Sequence, residues 1–296
     1  MSSATAETDA GSEGTASSLL MRDRLVRRVG EVLAATFVVV VLTMVGYIVS
    51  TQVDTELLQV VFPRFVEAFL LVVQIVGISS VLSVSLGVLV GLARISTSPI
   101  TGRIAKGYVE FFRGTPLLFQ LFLIYFGIPS LWATGTFPIQ NWEIPAAIIG
   151  LTLNHGAYVG EAVRGGIEAV PEGQMEAARS LGMSRVMALR QVVLPQAWRN
   201  ALAAIGNDQI ILVKDTSLLT VIAVPEIMSL FRNINSNQLD AWTPLVWVCL
   251  FYLAITMSMS YLVSVLEERA DWGSGESDSK TAQLKRMFMG SRGDMS

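Results

Sequence analysis
The chain has 296 residues, of which 52% are hydrophobic and 15% charged, with a mean hydropathy of +0.55 and a formal net charge of −3. So large an apolar excess rules out an ordinary soluble domain of this length and indicates a multispanning membrane protein. One cysteine (Cys249) and one histidine (His155) exclude a disulfide framework within the chain and argue against a Cys/His metal site. The charges are segregated by loop, so the net charge gives no reason to expect nucleic acid as a partner.

Residues 1–20 are small, polar and mildly acidic, with almost nothing to bury, so a disordered tail is expected over residues 1–30. The first apolar run, Val32–Val49, is long enough to span a bilayer, and it lies too far in, without a small-residue cleavage site, to be a targeting peptide. Further spans are expected at about 65–92, 115–134, 144–163, 201–224 and 243–265. The fold class is therefore all-α: a polytopic membrane helix bundle of about six transmembrane helices. Of 21 Lys and Arg residues, 18 fall in segments 1–31, 93–114, 164–200 and 266–296, while Arg64 and Arg232 fall in the alternate loops and Lys214 in a span. Basic residues mark the cytoplasmic side, so both termini are expected there.

Between the second and third spans, Ile100, Ile104, Tyr108 and Phe111 recur at helical spacing, as in an amphipathic helix lying on the membrane surface or a plain connecting helix with basic anchors. The third span is rich in aromatic residues (Phe119, Phe122, Tyr125, Phe126) that suit helix packing, and Gly127 and Pro129 are placed to bend it.

The fourth span carries Asn154, Tyr158 and Glu161 on one polar stripe. His155 lies off that stripe and reads as a packed, neutral histidine. In the fifth span Asn207, Asp208, Gln209, Lys214 and Asp215 interrupt an otherwise apolar run. A charge at the bilayer centre costs roughly 2.5–3.5 kcal/mol, so three facing lipid would cost about 8–10 kcal/mol. They must face protein or water. Asp208 and Asp215, seven residues apart, share a helix face, and Lys214 points elsewhere. Asn154, Tyr158, Glu161, Asp208, Lys214 and Asp215 are thus candidates for a substrate path, with interhelical ion pairing, for instance of Glu161 with Lys214, as the alternative role.

The loop from Glu161 to Pro195 has the composition of folded helix. Pro171 suits a first helical position, Gly182 a C-terminal cap, Ser184 the cap of the next helix and Pro195 a stop, which predicts two short helices at about 172–181 and 185–194. Met175, Ala178 and Leu181 form one face of the first, opposite Glu172, Glu176 and Arg179. The sixth span leads into a polar tail, 266–296, with a short helix expected around 280–289.

Glu176-Ala177-Ala178, three residues, Gly182, nine residues, Val192, one residue and Leu194-Pro195 closely resemble the EAA loop of ABC importer permeases, with Val192 in place of the usual Ile. The stretches 110–129, 157–196 and 212–227 resemble the polar amino acid branch of that family, and the likeness covers roughly 65–265. It implies a type I importer fold in which 65–265 is the transmembrane domain and 31–64 an added helix with its external loop. It also implies that Glu176, Ala177, Ala178, Gly182, Leu194 and Pro195 couple the chain to a separate ABC ATPase that carries the ATP and magnesium.

No G-x-x-x-x-G-K-[ST] loop occurs, so this chain has no phosphate cradle of its own, and no enzyme activity or cofactor is expected in it. A second permease copy or a homologous permease, an extracytoplasmic solute-binding protein and the lipid of a prokaryotic plasma membrane complete the partners that the resemblance implies. The competing reading is an ion-coupled secondary transporter or channel that uses the intramembrane charges. Such proteins often show inverted repeats and matched broken helices, and neither stands out in this sequence.

Overall fold
The computed structural model describes the backbone of residues 6–271 and the side chains of residues 26–270. Among the described residues there is no strand. The chain divides into two compact units, Met1–Gln59 and Val60–Ser296.

The first unit is dominated by α1, Ala6–Gln52, whose Val26–Gln52 part is long and apolar enough to cross a membrane and has no buried side chain. The helix begins well before the apolar run, so residues 6–30, expected as disordered tail, continue it. Extending an existing helix costs far less than nucleating one. Asp54 opens the next helix, α2 (Thr55–Arg94), its Oδ1 accepting from the backbone N–H of Glu56 and Leu57.

In the second unit, α2 is followed by α3 (Pro99–Gly114), capped by the Ser98 hydroxyl. The expected face of α3 divides: Ile100, Ile104 and Phe111 are exposed, while Ala105 and Val109 pack inward and the Tyr108 hydroxyl donates to the Leu153 carbonyl at 2.6 Å. The chain then turns by 106° into the Leu117–Leu131 segment. That third span is shorter than expected and irregular. It comprises α4 (Leu117–Phe122), a π turn (Leu123–Gly127) and a 3₁₀ turn from Pro129. Phe119, Phe122 and Phe126 face outward from it.

The long helices α5 (Glu143–Glu168), α8 (Leu194–Asp215) and α10 (Trp242–Asp271) make up most of the remainder. Between α8 and α10 lie a 3₁₀ turn (Thr216–Ile222) and α9 (Ile227–Gln238). α2 and α10 are each long and apolar enough to cross a membrane alone, and α3 with Leu117–Leu131 is so only as a bent pair. α5 and α8, of 26 and 22 residues, are long enough but carry the polar residues noted above. The short helix expected around 280–289 lies outside the described residues.

Close backbone approach fixes how α5 is held. Gly91 of α2 would place a Cβ 2.6 Å from Val163 Cγ1 of α5, and Gly160 of α5 would place one 2.8 Å from Val90 Cγ1 of α2. No side chain fits at either position. On its other side α5 packs along α8, with Val159, Val163, Ala201 and Ile205 forming a shared buried cluster. The deeper core joins α2, α4 and α5 to the 3₁₀ turn through Ile75, Leu121, Leu151, Leu219 and Ile222.

Candidate functional site
The 169–195 loop carries α6 (Glu172–Ser180), which ends where local chemistry requires it to end. Gly182 has φ +85°, the Gly182 N–H donates to the Arg179 carbonyl and the Met183 N–H to the Ala178 carbonyl. This is a Schellman cap, in which glycine takes the left-handed position without a Cβ clash. Ser184 then starts α7 (Arg185–Ala188), its Oγ accepting from the Met187 N–H at 3.2 Å.

Three expectations need correction. Pro171 caps α6 from outside, one residue before the first helical position. Pro195 does not stop the second helix, since α7 runs through a π turn (Leu189–Val193) straight into α8. Proline has no N–H to offer the preceding turn; the wider π turn tolerates that loss, and Gln196 Nε2 donates to the Val192 carbonyl at 2.9 Å. Leu181, expected on the docked face with Met175 and Ala178, is 81% exposed, because it sits in the cap, where the helical repeat has already ended. Ala178 is buried and Met175 packs on Val170, Val193 and Ala197, while Glu176, Ala177, Gly182 and Pro195 are exposed and Leu194 is half-buried.

The polar stripe of α5 separates into two kinds of environment. Asn154 is buried: its Nδ2 donates to Gln120 Oε1 at 3.0 Å and to the Phe112 carbonyl at 3.3 Å. It braces the bend between α3 and α4. Tyr158 is exposed, with the Arg113 guanidinium 5.2 Å from its ring centre. Glu161 gathers cations from three helices: Arg164 Nη2 of α5 itself at 2.5 Å, Arg94 Nη2 from the end of α2 at 3.8 Å and Arg113 Nη1 from the end of α3 at 3.8 Å. Lys214, named above as its partner, is exposed and makes no ion pair among the described residues. The place expected of Lys214 beside Glu161 is taken by Arg94, Arg113 and Arg164.

Halfway along α5, His155 is only 1% exposed. Its Nδ1 lies 3.0 Å from Asp208 Oδ1 and its Nε2 3.4 Å from Asp215 Oδ2, so the two aspartates do share the α8 face that meets α5. Gln209 Nε2 donates to the other Asp208 oxygen at 3.3 Å. The histidine is packed, as expected from the sequence, but between two carboxylates rather than against apolar neighbours. Its single occurrence beside Asn154 gave no sign of this, because the aspartates are 53 and 60 positions away.

A second residue that the sequence left without a role is Glu226. It is fully buried and caps α9, accepting from the N–H groups of Met228 at 2.7 Å and Ser229 at 2.6 Å and from the Tyr252 hydroxyl at 3.2 Å. Its position one residue after Pro225 was the available signal, though glutamate is an unusual cap.

Helices long and apolar enough to span a membrane, a carboxylate-histidine cluster between α5 and α8 and a folded polar loop are the features of a multi-pass membrane protein. Residues 83–271 match the binding-protein-dependent transport system inner membrane component family, and the chain belongs to that family. It is 34% identical over 207 residues to the arginine transport system permease protein ArtQ of Bacillus subtilis (strain 168), covering 70% of this chain and 92% of that one. It is 36% identical over 223 residues to the nopaline transport system permease protein NocM of Agrobacterium fabrum, covering 72% and 90%. The crystal structure of an amino acid ABC transporter with histidines superposes with a TM-score of 0.67 at 33% identity, over 74% of this chain and 100% of that one. The MetNI methionine ABC transporter, 18% identical with a TM-score of 0.60, shares the fold.

Proposed function
We propose that this chain forms the translocation path of an ATP-driven importer for polar amino acids or related small solutes, and that the 169–195 loop couples it to a separate ATPase. The observation that carries this reading is the exposed surface of that loop. Leu181 and Val186 are 81% and 75% exposed beside Met187, Glu176 and Ala177, on a turn whose geometry the Gly182 cap fixes. Apolar patches rimmed by charge mark protein docking sites. The relatives' names supply the solute class, and the missing phosphate loop supports an ATPase, with its ATP and magnesium, in another chain.

In this reading α1, α2, Leu117–Leu131, α5, α8 and α10 are six spans with both termini cytoplasmic, and α1 is an addition to a translocation domain over 65–265. A second permease copy or a homologous permease completes the path, and an extracytoplasmic binding protein delivers the solute. Asp208 and Asp215, with Tyr158 near the cytoplasmic end, line the path. Asn154 braces it, Glu161 holds its cytoplasmic end and Lys214 stands apart.

Affinity purification of the tagged chain from its native membrane, followed by mass spectrometry, tests the reading: an ATPase must co-purify. Uptake that persists with no ATPase bound would replace it with the ion-coupled transporter. Reporter fusions after Thr55 and Gln238 should read as external and those after Ser98, Arg185 and Asp271 as cytoplasmic; a cytoplasmic signal after Thr55 would overturn the topology.

A further inference from the structure
We infer that His155 sets the charge selectivity of the path, acting as a built-in cation that occupies the Asp208–Asp215 pair in place of a substrate's cationic group. The inference rests on the proposed reading that this pair lines the path. Both imidazole nitrogens face a carboxylate oxygen, at 3.0 and 3.4 Å, and only a ring protonated on both nitrogens turns a positive N–H towards each carboxylate. A neutral ring would leave one nitrogen lone pair facing an anion, and an apolar residue would leave two carboxylates side by side with no counter-charge.

The two contacts are unequal. Asp208 is held firmly: it is 10% exposed, has the shorter contact and also accepts from Gln209. Asp215 is 30% exposed, and the longer contact leaves His155 Nε2 without a well-formed hydrogen bond. Asp215 is therefore the carboxylate a substrate ammonium or guanidinium can claim, while His155 keeps Asp208 neutralised. With the imidazolium in place the pair carries one net negative charge and accepts one cationic group. That suits a zwitterionic amino acid and gives little extra affinity for a second positive charge. Without it, Asp208 becomes an unpaired carboxylate that favours dicationic substrates.

The test is equilibrium binding of radiolabelled arginine and glutamine to the purified permease–ATPase complex, with no binding protein present so that its own specificity does not enter. His155→Asn, which keeps a polar side chain and removes the cation, should raise the arginine-to-glutamine affinity ratio by about tenfold or more, as expected for an unscreened charge a few ångströms away. His155→Asn combined with Asp208→Asn should restore the ratio, and this charge-balanced pair keeps the test usable if the single variant assembles poorly. A His155→Asn ratio equal to wild type, or equal losses for both amino acids, means a purely structural histidine and overturns the inference. Asp215→Asn separates the two levels: it should weaken both ligands, and if it leaves both unchanged the path reading itself fails. Failure of the wild-type complex to bind either amino acid at millimolar concentration overturns both.

Discussion

Glu161 and Arg113 lie 3.8 Å apart although they belong to different helices, α5 and the last turn of α3. The same carboxylate meets Arg94 from the end of α2 and Arg164 one turn further along α5, so two helix ends and a neighbour on α5 converge on a single anion. Partly exposed pairs of this kind contribute little singly and matter as a network. We expect Glu161→Gln to lower transport while the protein still inserts, because Arg94 and Arg113 lose the carboxylate they share, whereas Arg164 keeps Glu168. Adding Arg113→Gln should recover part of the loss, with a coupling of about 0.5–1 kcal/mol in a double-mutant cycle read by thermal stability of the purified protein. Simple additivity of the two changes would show that the convergence has no energetic content.

Gly182 is open to solvent, with nothing within 4 Å of the position a Cβ would take, so crowding is no obstacle to a side chain there. The obstacle is φ +85°, which costs an ordinary residue about 1–2 kcal/mol. Gly182→Val should leave membrane insertion intact yet weaken ATPase association and uptake. Gly182→Asn, which tolerates the left-handed region better, should retain more of both. Equal, normal uptake by Val and Asn variants would remove the coupling role from this turn.

Gln120 is 1% exposed, and its Nε2 lies 2.9 Å from the Phe112 carbonyl and 3.0 Å from the Thr115 carbonyl. Together with Asn154 it satisfies the backbone groups freed where the chain turns between α3 and α4. Gln120→Leu should destabilise by about 1–3 kcal/mol for each polar group left unpaired. The melting temperature in detergent should fall well below that of Phe119→Leu, a change at a side chain 49% exposed. Similar melting of the two variants would mean that water replaces the lost bonds.

Burial pushes the Glu226 carboxyl from its ordinary value of 4.5 up to about 7, against the pull of the Met228 and Ser229 N–H groups and the Tyr252 hydroxyl. A value raised by folding means that the residue's contribution to stability is complete below about 4.5 and is lost as pH rises through about 7. The melting temperature should therefore decline between about pH 5 and about pH 8. Glu226→Gln should flatten that decline; an unchanged slope would assign it to other groups.

The features legible in the sequence are those set by neighbours along the chain. The long apolar helices α1, α2 and α10 followed from apolar runs, and the turn between α6 and α7 followed from Gly182 and Ser184, because a Schellman cap and a hydroxyl cap close within six residues. The shared face of Asp208 and Asp215 followed from helical spacing. Pro195 misled because a local rule was overridden by a π turn that keeps the helix continuous. What seats His155 between Asp208 and Asp215, or brings Arg94 and Arg113 to Glu161, is the register in which α5 lies along α8 and against α2 and α3. That register depends on close glycine contacts, Gly91 and Gly160 between α2 and α5 and Gly166 against Ala197 and Ala201 of α8, and one turn of slip along a helix would separate each pair by about 5 Å. Sequence periodicity gives the face of a single helix. Only packing decides what that face meets.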